Sequence, residues 1–268
     1  MIPHRLIATD LDGTLLRNDG KISERTRRAL RGATDAGAEV VLVTARPPRY
    51  VDALIAAYGL AGTAVCSNGA LVYDMTSRSV VSSRTLPVDS ARRAAEALTE
   101  AVPGIGFAVE TGHRVLFAPG YGHRLPEDVD AEFAVPSVDD LWRSEAPIVK
   151  LLAWSDAFDA DTMLASAERA AGSVAQFTHS GGSGLLEISA SGVTKAGTLS
   201  ALCAERGIDT AEVVAFGDMP NDLSILTWAG AGYAVANAHA SVLSAVSRHT
   251  ASNEEDGVAV ALEQLFSL

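Results

Sequence analysis

The chain has 268 residues, 48% hydrophobic and 20% charged, enough apolar material for one large or two modest globular domains. Its formal net charge of -12 argues against a nucleic-acid or anionic-membrane surface, since both need clustered lysine and arginine. No apolar run approaches the ~18 residues of a membrane span and no charged-then-apolar leader opens the sequence, so the expectation is cytoplasmic, with no membrane or obligate protein partner.

The first pattern is an apolar strand, Arg5 to Thr9, that runs into Asp10-Leu11-Asp12-Gly13-Thr14. Strand periodicity would send Asp10 and Asp12 to one side, and Gly13 permits a tight turn. Two carboxylates this close repel, and a divalent cation relieves the repulsion; hard oxygen ligands suit Mg2+. Ser23 then caps a predicted helix running to Gly37, followed by a buried parallel-type strand from Ala38 to Thr44. Pro47 and Pro48 open a second helix that stops at Gly59, and Thr63 to Cys66 is a short strand ending at Ser67-Asn68-Gly69. A hairpin follows, with Leu71 to Tyr73 and Ser79 to Ser82 flanking a polar turn. Cys66 and Cys203 are too few for a disulfide framework or a zinc site.

From about Ser83 to Ser189 the pattern changes. A helix over Asp89 to Val102 leads to strands at Ile105 to Glu110, Arg114 to Ala118 and Ile148 to Trp154. A helix over Asp159 to Ala171 precedes strands near Val174 to Thr178 and Leu185 to Ser189. Paired strands beside segregated helices indicate an α+β unit. Alternation resumes with a helix from Lys195, a strand at Glu212 to Phe216, a helix from Pro220, a strand at Tyr233 to Ala236 and a last helix near Asp256 to Phe266. The expected architecture is therefore α/β, a doubly wound, Rossmann-like parallel sheet formed by residues 1–82 and 190–268, with residues 83–189 inserted as an α+β cap domain.

In a doubly wound sheet, ligands bind beyond the carboxyl ends of the strands. Four such ends carry suggestive residues: Asp10/Asp12, Thr44, Asn68, and Asp218 in Gly217-Asp218-Met219-Pro220-Asn221-Asp222. Helix capping alone would account for Asp218 and Asn221. It does not account for acidic loops after two apolar strands far apart in the chain, as a shared metal would. Thr44 offers a hydroxyl beside exposed backbone. Lys195 opens its helix after the Thr194 cap, where a cation opposes the macrodipole by ~0.3–1 kcal/mol; the placement points to an anion nearby.

Together these stretches resemble the haloacid-dehalogenase-superfamily phosphatases, specifically the Cof-like branch with a type IIB cap. The family's first motif falls on Asp10, Asp12, Gly13 and Thr14, the second on Thr44, the third on Lys195, and the fourth on Gly217, Asp218, Asn221 and Asp222. Ser67-Asn68-Gly69-Ala70 and Val235-Ala236-Asn237-Ala238 also resemble stretches of this branch.

The resemblance implies a hydrolase of small phosphorylated metabolites such as sugar phosphates or phosphorylated cofactors. In it, Asp10 is the nucleophile that becomes an aspartyl-phosphate, Asp12 the acid and then base, and Thr44 and Lys195 bind the phosphoryl oxygens. Mg2+ sits on Asp10, the Asp12 backbone carbonyl and Asp218, with Asn221 orienting a metal water or Asp218. Arg46, Asn68 and Gly69 are the expected substrate contacts on the core side. In the cap, His113, His123, His179 and the loop Gly181-Gly182-Ser183-Gly184 are candidates for specificity, each equally explained as solvated loop; Trp142 and Trp154 read as packing. The alternatives are a phosphosugar mutase and a non-catalytic phosphate sensor. A dinucleotide-binding protein fails at its first landmark, because the first strand leads to Asp-Leu-Asp-Gly-Thr rather than Gly-x-Gly-x-x-Gly.

Overall fold

A computed structural model describes residues 4–125, 128–181 and 184–268. In chain order the elements are β1 (Leu6–Thr9), α1 (Glu24–Asp35), β2 (Glu39–Val43), α2 (Pro48–Tyr58), β3 (Thr63–Cys66), β4 (Leu71–Asp74) and β5 (Ser79–Ser83). Then come α3 (Val88–Ala101), β6 (Gly106–Glu110), β7 (Val115–Phe117), β8 (Glu132–Ala134), α4 (Val138–Leu141), β9 (Lys150–Trp154), α5 (Ala160–Ala171), β10 (Gln176–Thr178) and β11 (Leu185–Ser189). The chain ends with α6 (Lys195–Arg206), β12 (Val213–Gly217), α7 (Leu223–Trp228), β13 (Ala231–Val235), α8 (Ala240–Ala245), β14 (Arg248–Thr250) and α9 (Gly257–Phe266). No helix among the described residues is long and apolar enough to cross a membrane.

The strands form two sheets. The larger has the order β14-β13-β12-β1-β2-β3-β4-β5, parallel from β14 to β3 and antiparallel at β4 and β5. All four residues of β1 are buried because both faces are covered. Leu6 and Ala8 pack with Leu199, Ile225 and Leu226 of α6 and α7, while Ile7 packs with Ala29, Ala33 and Leu262 of α1 and α9. That alternation produces the doubly wound arrangement. Local chemistry sets the helix ends: Ser23 accepts from the Thr26 N–H, Thr194 accepts from the Gly197 N–H, and Gly59 closes α2 in the left-handed region at φ 64°.

The six-stranded sheet, β10-β11-β9-β6-β7-β8, is drawn wholly from the segment between β5 and α6. It is antiparallel except for the β7–β8 pair. One face is covered by α3 and α5, whose Ala91, Ala94, Leu98, Met163 and Ala167 pack on Phe107, Val109, Leu151 and Ile188. Trp142 joins this core, as the packing reading expected. The other face carries Ala108, Val115 and Tyr121, with Leu152, Trp154 and Leu185 against them, and among the described residues no helix contributes to this cluster. Several of these side chains look into the cavity described below.

Four elements fall outside the sequence pattern: β8, α4, α8 and β14. Each has three to six residues, too short for a hydrophobic period to register, and β14 (Arg248-His249-Thr250) is a polar edge strand. The helix expected from Pro220 starts instead as a 3-10 turn at Pro220–Asp222 before α7. The Asp222 carboxylate draws that turn tight by accepting the Asp218 and Met219 N–H groups.

Candidate active site

The carboxyl ends of β1, β2 and β12, adjacent in the sheet, deliver the first, second and fourth sequence motifs to one place. Regular pairing of β1 stops at Thr9, so the period-two argument does not reach Asp10 and Asp12; the turn after the strand brings both to the cavity instead. Asp10 is buried, and its N–H donates to the Phe216 carbonyl of β12 at 3.0 Å. The Lys195 ammonium donates to Asp10 Oδ1 and Asp222 Oδ1, each at 2.6 Å. Thr14 donates its hydroxyl to Asp218 Oδ1 at 2.7 Å.

Lys195 sits at the first position of α6 with no exposed side-chain surface. Two charge-assisted hydrogen bonds, about 1.5–3 kcal/mol each, outweigh the macrodipole cost of ~0.3–1 kcal/mol. Burial opposes its charge, but the Asp10 and Asp222 carboxylates prevail and hold its pKa above the ordinary lysine value.

The floor is over-supplied with negative charge. Asp10, Asp218 and Asp222 each offer a carboxylate oxygen within 4.8 Å of the others, against the one lysine bonded to two of them. Burial, then Asp222 and Asp218, push the Asp10 carboxyl well above the usual range despite Lys195. Burial and Asp222 push Asp218 up to about 7. The Asn221 amide oxygen is buried without a hydrogen-bond partner among the described residues, while its Nδ2 donates to Asn68 Oδ1 at 3.0 Å. Excess carboxylate beside an orphaned oxygen fits a hard divalent cation. Both oxygens of Asp222 are engaged by Lys195 and the two N–H groups, which leaves Asp10 and Asp218 as the better donors.

Asp12 points the other way. Its side chain is 46% exposed and takes a bidentate contact from Arg46, Nε to Oδ2 at 2.6 Å and Nη2 to Oδ1 at 2.8 Å. The Arg46 guanidinium also lies 4.5 Å from the centre of the Tyr50 ring. Thr44 lines the cavity, but its N–H is committed to the Val65 carbonyl, which leaves its hydroxyl, already accepting from the Arg46 N–H at 3.1 Å, to meet a ligand.

A cavity of about 290 Å³ opens over Asp10 and Asp12, bounded by the large sheet's loops below and by the uncovered face of the six-stranded sheet above. Three sets of contacts join the two sides. Arg49 of α2 reaches both oxygens of Glu110 at 3.0 and 2.8 Å, and Asp128 Oδ1 at 2.8 and 2.7 Å. Lys150 of β9 donates to Glu187 Oε2 at 2.5 Å and to the Ala45 carbonyl at 2.8 Å. Asn68 donates to the same Glu187 oxygen at 3.0 Å, and Ser180 donates to Glu187 Oε1 at 2.5 Å. Lys150 holds Glu187 below the ordinary glutamate value despite burial, which acts to raise it.

Among the described residues, Asp10, Asp12, Thr44, Arg46 and Asn221 line the cavity; Lys195, Asp218 and Asn68 lie behind its wall. Gly69, expected as a substrate contact, does not line it either. Its φ of 100° and its carbonyl, which accepts from Thr198 Oγ1, tie the β3 loop to α6, and a Cβ there would sit 2.3 Å from the Thr194 carbonyl oxygen. Of the cap candidates, His123 and Gly181 line the cavity. His113 is exposed outside it, and His179 is buried against Asp161, which also meets His239 of the core. Gly182 and Ser183 lie outside the described residues. Sequence reading missed Arg49, Glu110, Asp128, Lys150 and Glu187, and gave Asp222 a lesser place than its two-sided bonding to Lys195 and the fourth-motif turn warrants. Only the alternation of Leu186 and Ile188 around the charged Glu187 in β11 hinted that this carboxylate faces something other than core.

Three comparisons bear on this arrangement. The 5-amino-6-(5-phospho-D-ribitylamino)uracil phosphatase YwtE of Bacillus subtilis is 31% identical over 98% of each chain. The pyridoxal phosphate phosphatase YbhA of Escherichia coli is 28% identical, covering 95% of this chain and 96% of its own. The solved structure of the subclass IIB sugar phosphatase BT4131 superposes with a TM-score of 0.81 over 98% of this chain and all of the other, at 20% identity, which is a likeness of fold. With the haloacid dehalogenase-like hydrolase profile matching residues 7–262, the chain belongs to that family, as a phosphatase of its Cof-like branch with the subclass IIB fold.

Proposed function

We propose that the chain hydrolyses small phosphate monoesters in two steps through an aspartyl-phosphate on Asp10, with Mg2+ as cofactor and residues 83–189 as a cap domain closing over the leaving group. The observation that carries this reading is the meeting of Asp10, Asp218 and Lys195 under an open cavity, with charge on the floor that a divalent cation would balance. Asp10 and Asp218 would hold the ion, with the Asp12 backbone carbonyl completing the protein ligands and Asn221 Oδ1 oriented toward them. Bound there, magnesium would offset the carboxylates and stabilise charge on the phosphoryl oxygens.

In the first step an Asp10 carboxylate oxygen forms a bond to phosphorus as the bond to the ester oxygen breaks, and Asp12 gives that oxygen a proton. In the second, Asp12 takes a proton from water as the water oxygen bonds to phosphorus and the Asp10–phosphorus bond breaks, which returns both carboxyls to their starting state. The Lys195 ammonium and the Thr44 hydroxyl face the equatorial oxygens, where charge is highest at the transition state. Arg46 orients Asp12 through its two parallel contacts.

Relatives named for a ribitylamino-uracil phosphate and for pyridoxal phosphate support a small phosphorylated metabolite as substrate. The test is phosphate release from a panel of esters with magnesium, beside Asp10→Asn. The variant is expected to fall to background, at least about a thousandfold below wild type. Comparable turnover by the variant removes Asp10 as nucleophile, and return of the phosphoryl group to a second sugar hydroxyl instead of water would make the protein a mutase.

A further inference from the structure

The wall of the cavity opposite Asp10 is rich in carboxylates, each already held by a cation. Glu110, Asp128, Glu132 and Glu187 reach it from the six-stranded sheet and its loops, and Lys150 is the cation that accompanies them. Arg46 and Arg49 enter from the core side. All three cations already hold carboxylates: Arg46 holds Asp12, Arg49 holds both Glu110 and Asp128, and Lys150 holds Glu187. Glu132 is met by Arg124 at 3.3 Å. Burial holds the His123 imidazole below its ordinary pKa despite the nearby Glu187 carboxylate. The surfaces between these charges are apolar or aromatic: Val115, Leu152, Leu185 and Tyr121.

Resting on the phosphatase reading above, we propose that this wall sets substrate class by charge: the enzyme takes esters whose leaving group is an uncharged polyol or an amino alcohol, and rejects esters of hydroxy acids. A leaving-group carboxylate would enter a cavity of about 290 Å³ whose cations are all committed. Taking Arg49 for itself would strip counter-charge from Glu110 or Asp128, which are 3% and 6% exposed, and a buried carboxylate without its partner is strongly disfavoured. A hydroxyl or ammonium meets the reverse situation, because it can donate to carboxylate oxygens that retain lone pairs. The phosphoryl group itself is met by the floor, so it contributes equally to both classes and cancels in their ratio.

Ester pairs that differ only by exchange of CH2OH for carboxylate isolate the effect: 2-hydroxyethyl phosphate and 2-phosphoglycolate, glycerol 3-phosphate and 3-phosphoglycerate, glucitol 6-phosphate and 6-phosphogluconate. Their kcat/KM values with magnesium, and their inhibition constants against p-nitrophenyl phosphate hydrolysis, are compared within each pair. The alcohol member is expected to be favoured by at least about tenfold, as follows from like charges a few ångströms apart in a partly desolvated site. Equal values, or preference for the acid, overturn the proposal while hydrolysis of p-nitrophenyl phosphate leaves the phosphatase reading standing. No hydrolysis of any ester overturns both. Glu110→Gln and Asp128→Asn, each leaving Arg49 a single carboxylate, are expected to narrow the ratio. A ratio unchanged in both variants overturns the wall as its source, and the wild-type pairs decide the matter if either variant fails to fold.

Discussion

The floor and the wall of the cavity are both rich in carboxylates, yet they balance charge by opposite means. On the floor, Asp10 and Asp222 share Lys195 while Asp218 accepts from Thr14, and burial together with the neighbouring carboxylates raises the pKa values of Asp10 and Asp218. On the wall every carboxylate has a cationic partner, Arg49 serving both Glu110 and Asp128, Arg124 serving Glu132 and Lys150 serving Glu187, and Glu187 sits below its ordinary value. The floor leaves charge uncancelled, as the proposed cation would require; the wall, which holds two parts of the chain together, cancels it in place. Acidic composition alone would not separate the two.

The sharpest way to break this contrast after the loss of Asp10 is to remove the lysine that the floor shares. Lys195→Met should lower kcat/KM at least about a hundredfold and affect both kcat and KM, because in the proposed mechanism the ammonium meets the phosphoryl oxygens in ground and transition states alike. Steady-state kinetics with wild-type values would remove Lys195 from the reacting group.

On the wall, Arg49→Met leaves Glu110 and Asp128 without their common partner. It should destabilise the fold by roughly 1–3 kcal/mol, discounted from a fully buried pair because the Arg49 side chain is 22% exposed. Thermal unfolding measures the loss, and an unchanged Tm would mean that these contacts contribute nothing measurable to holding the two sheets together.

Metal sharpens the comparison from the floor side. The Asp218 pKa is raised from 3.8 to about 7, so the folded state binds the extra proton and metal-free stability should decline as pH rises through that interval. Magnesium is expected to raise the wild-type Tm at neutral pH, and Asp218→Asn should flatten that decline and abolish the increase. A variant still stabilised by magnesium to the wild-type extent would show that the ion binds elsewhere.

The smallest effect belongs to Glu187. Its folded pKa lies below the ordinary 4.5, so its contribution to stability is complete above that pH and is lost as pH falls through the folded value. Glu187→Gln should therefore shallow the acid limb of the stability profile while leaving the alkaline limb in place. An identical acid limb would mean that the Lys150 pair contributes nothing measurable.

What the sequence discloses follows from how local each signal is. Asp10, Asp12, Thr44, Asp218 and Lys195 stand immediately after strands or at a helix start, so strand and helix patterns place them without knowledge of the packing. The wall escapes that logic. Arg49 lies in a helix where an arginine is ordinary, and its partners Glu110 and Asp128 come from a strand end and a loop 61 and 79 residues further on. Gly69 shows the opposite error: its neighbour Asn68 reaches the site network, but adjacency in sequence does not carry the glycine with it, because its left-handed backbone turns it into α6. The short elements β8, α4, α8 and β14 owe their shape to what they pack against, and no periodicity announces them.

Gly13 follows the two aspartates with φ 75°, and a Cβ there would lie 2.4 Å from Asp218 Oδ2. The demand on this position is therefore twofold, a left-handed backbone and a vacancy the size of a methyl, and asparagine or aspartate, which tolerate the first, violate the second. Two loops separated by most of the polypeptide thus approach so closely that a methyl group at this position would have to push the Asp218 carboxylate off the Thr14 hydroxyl, and a transplant of one strand-end into a new scaffold should bring its counterpart along.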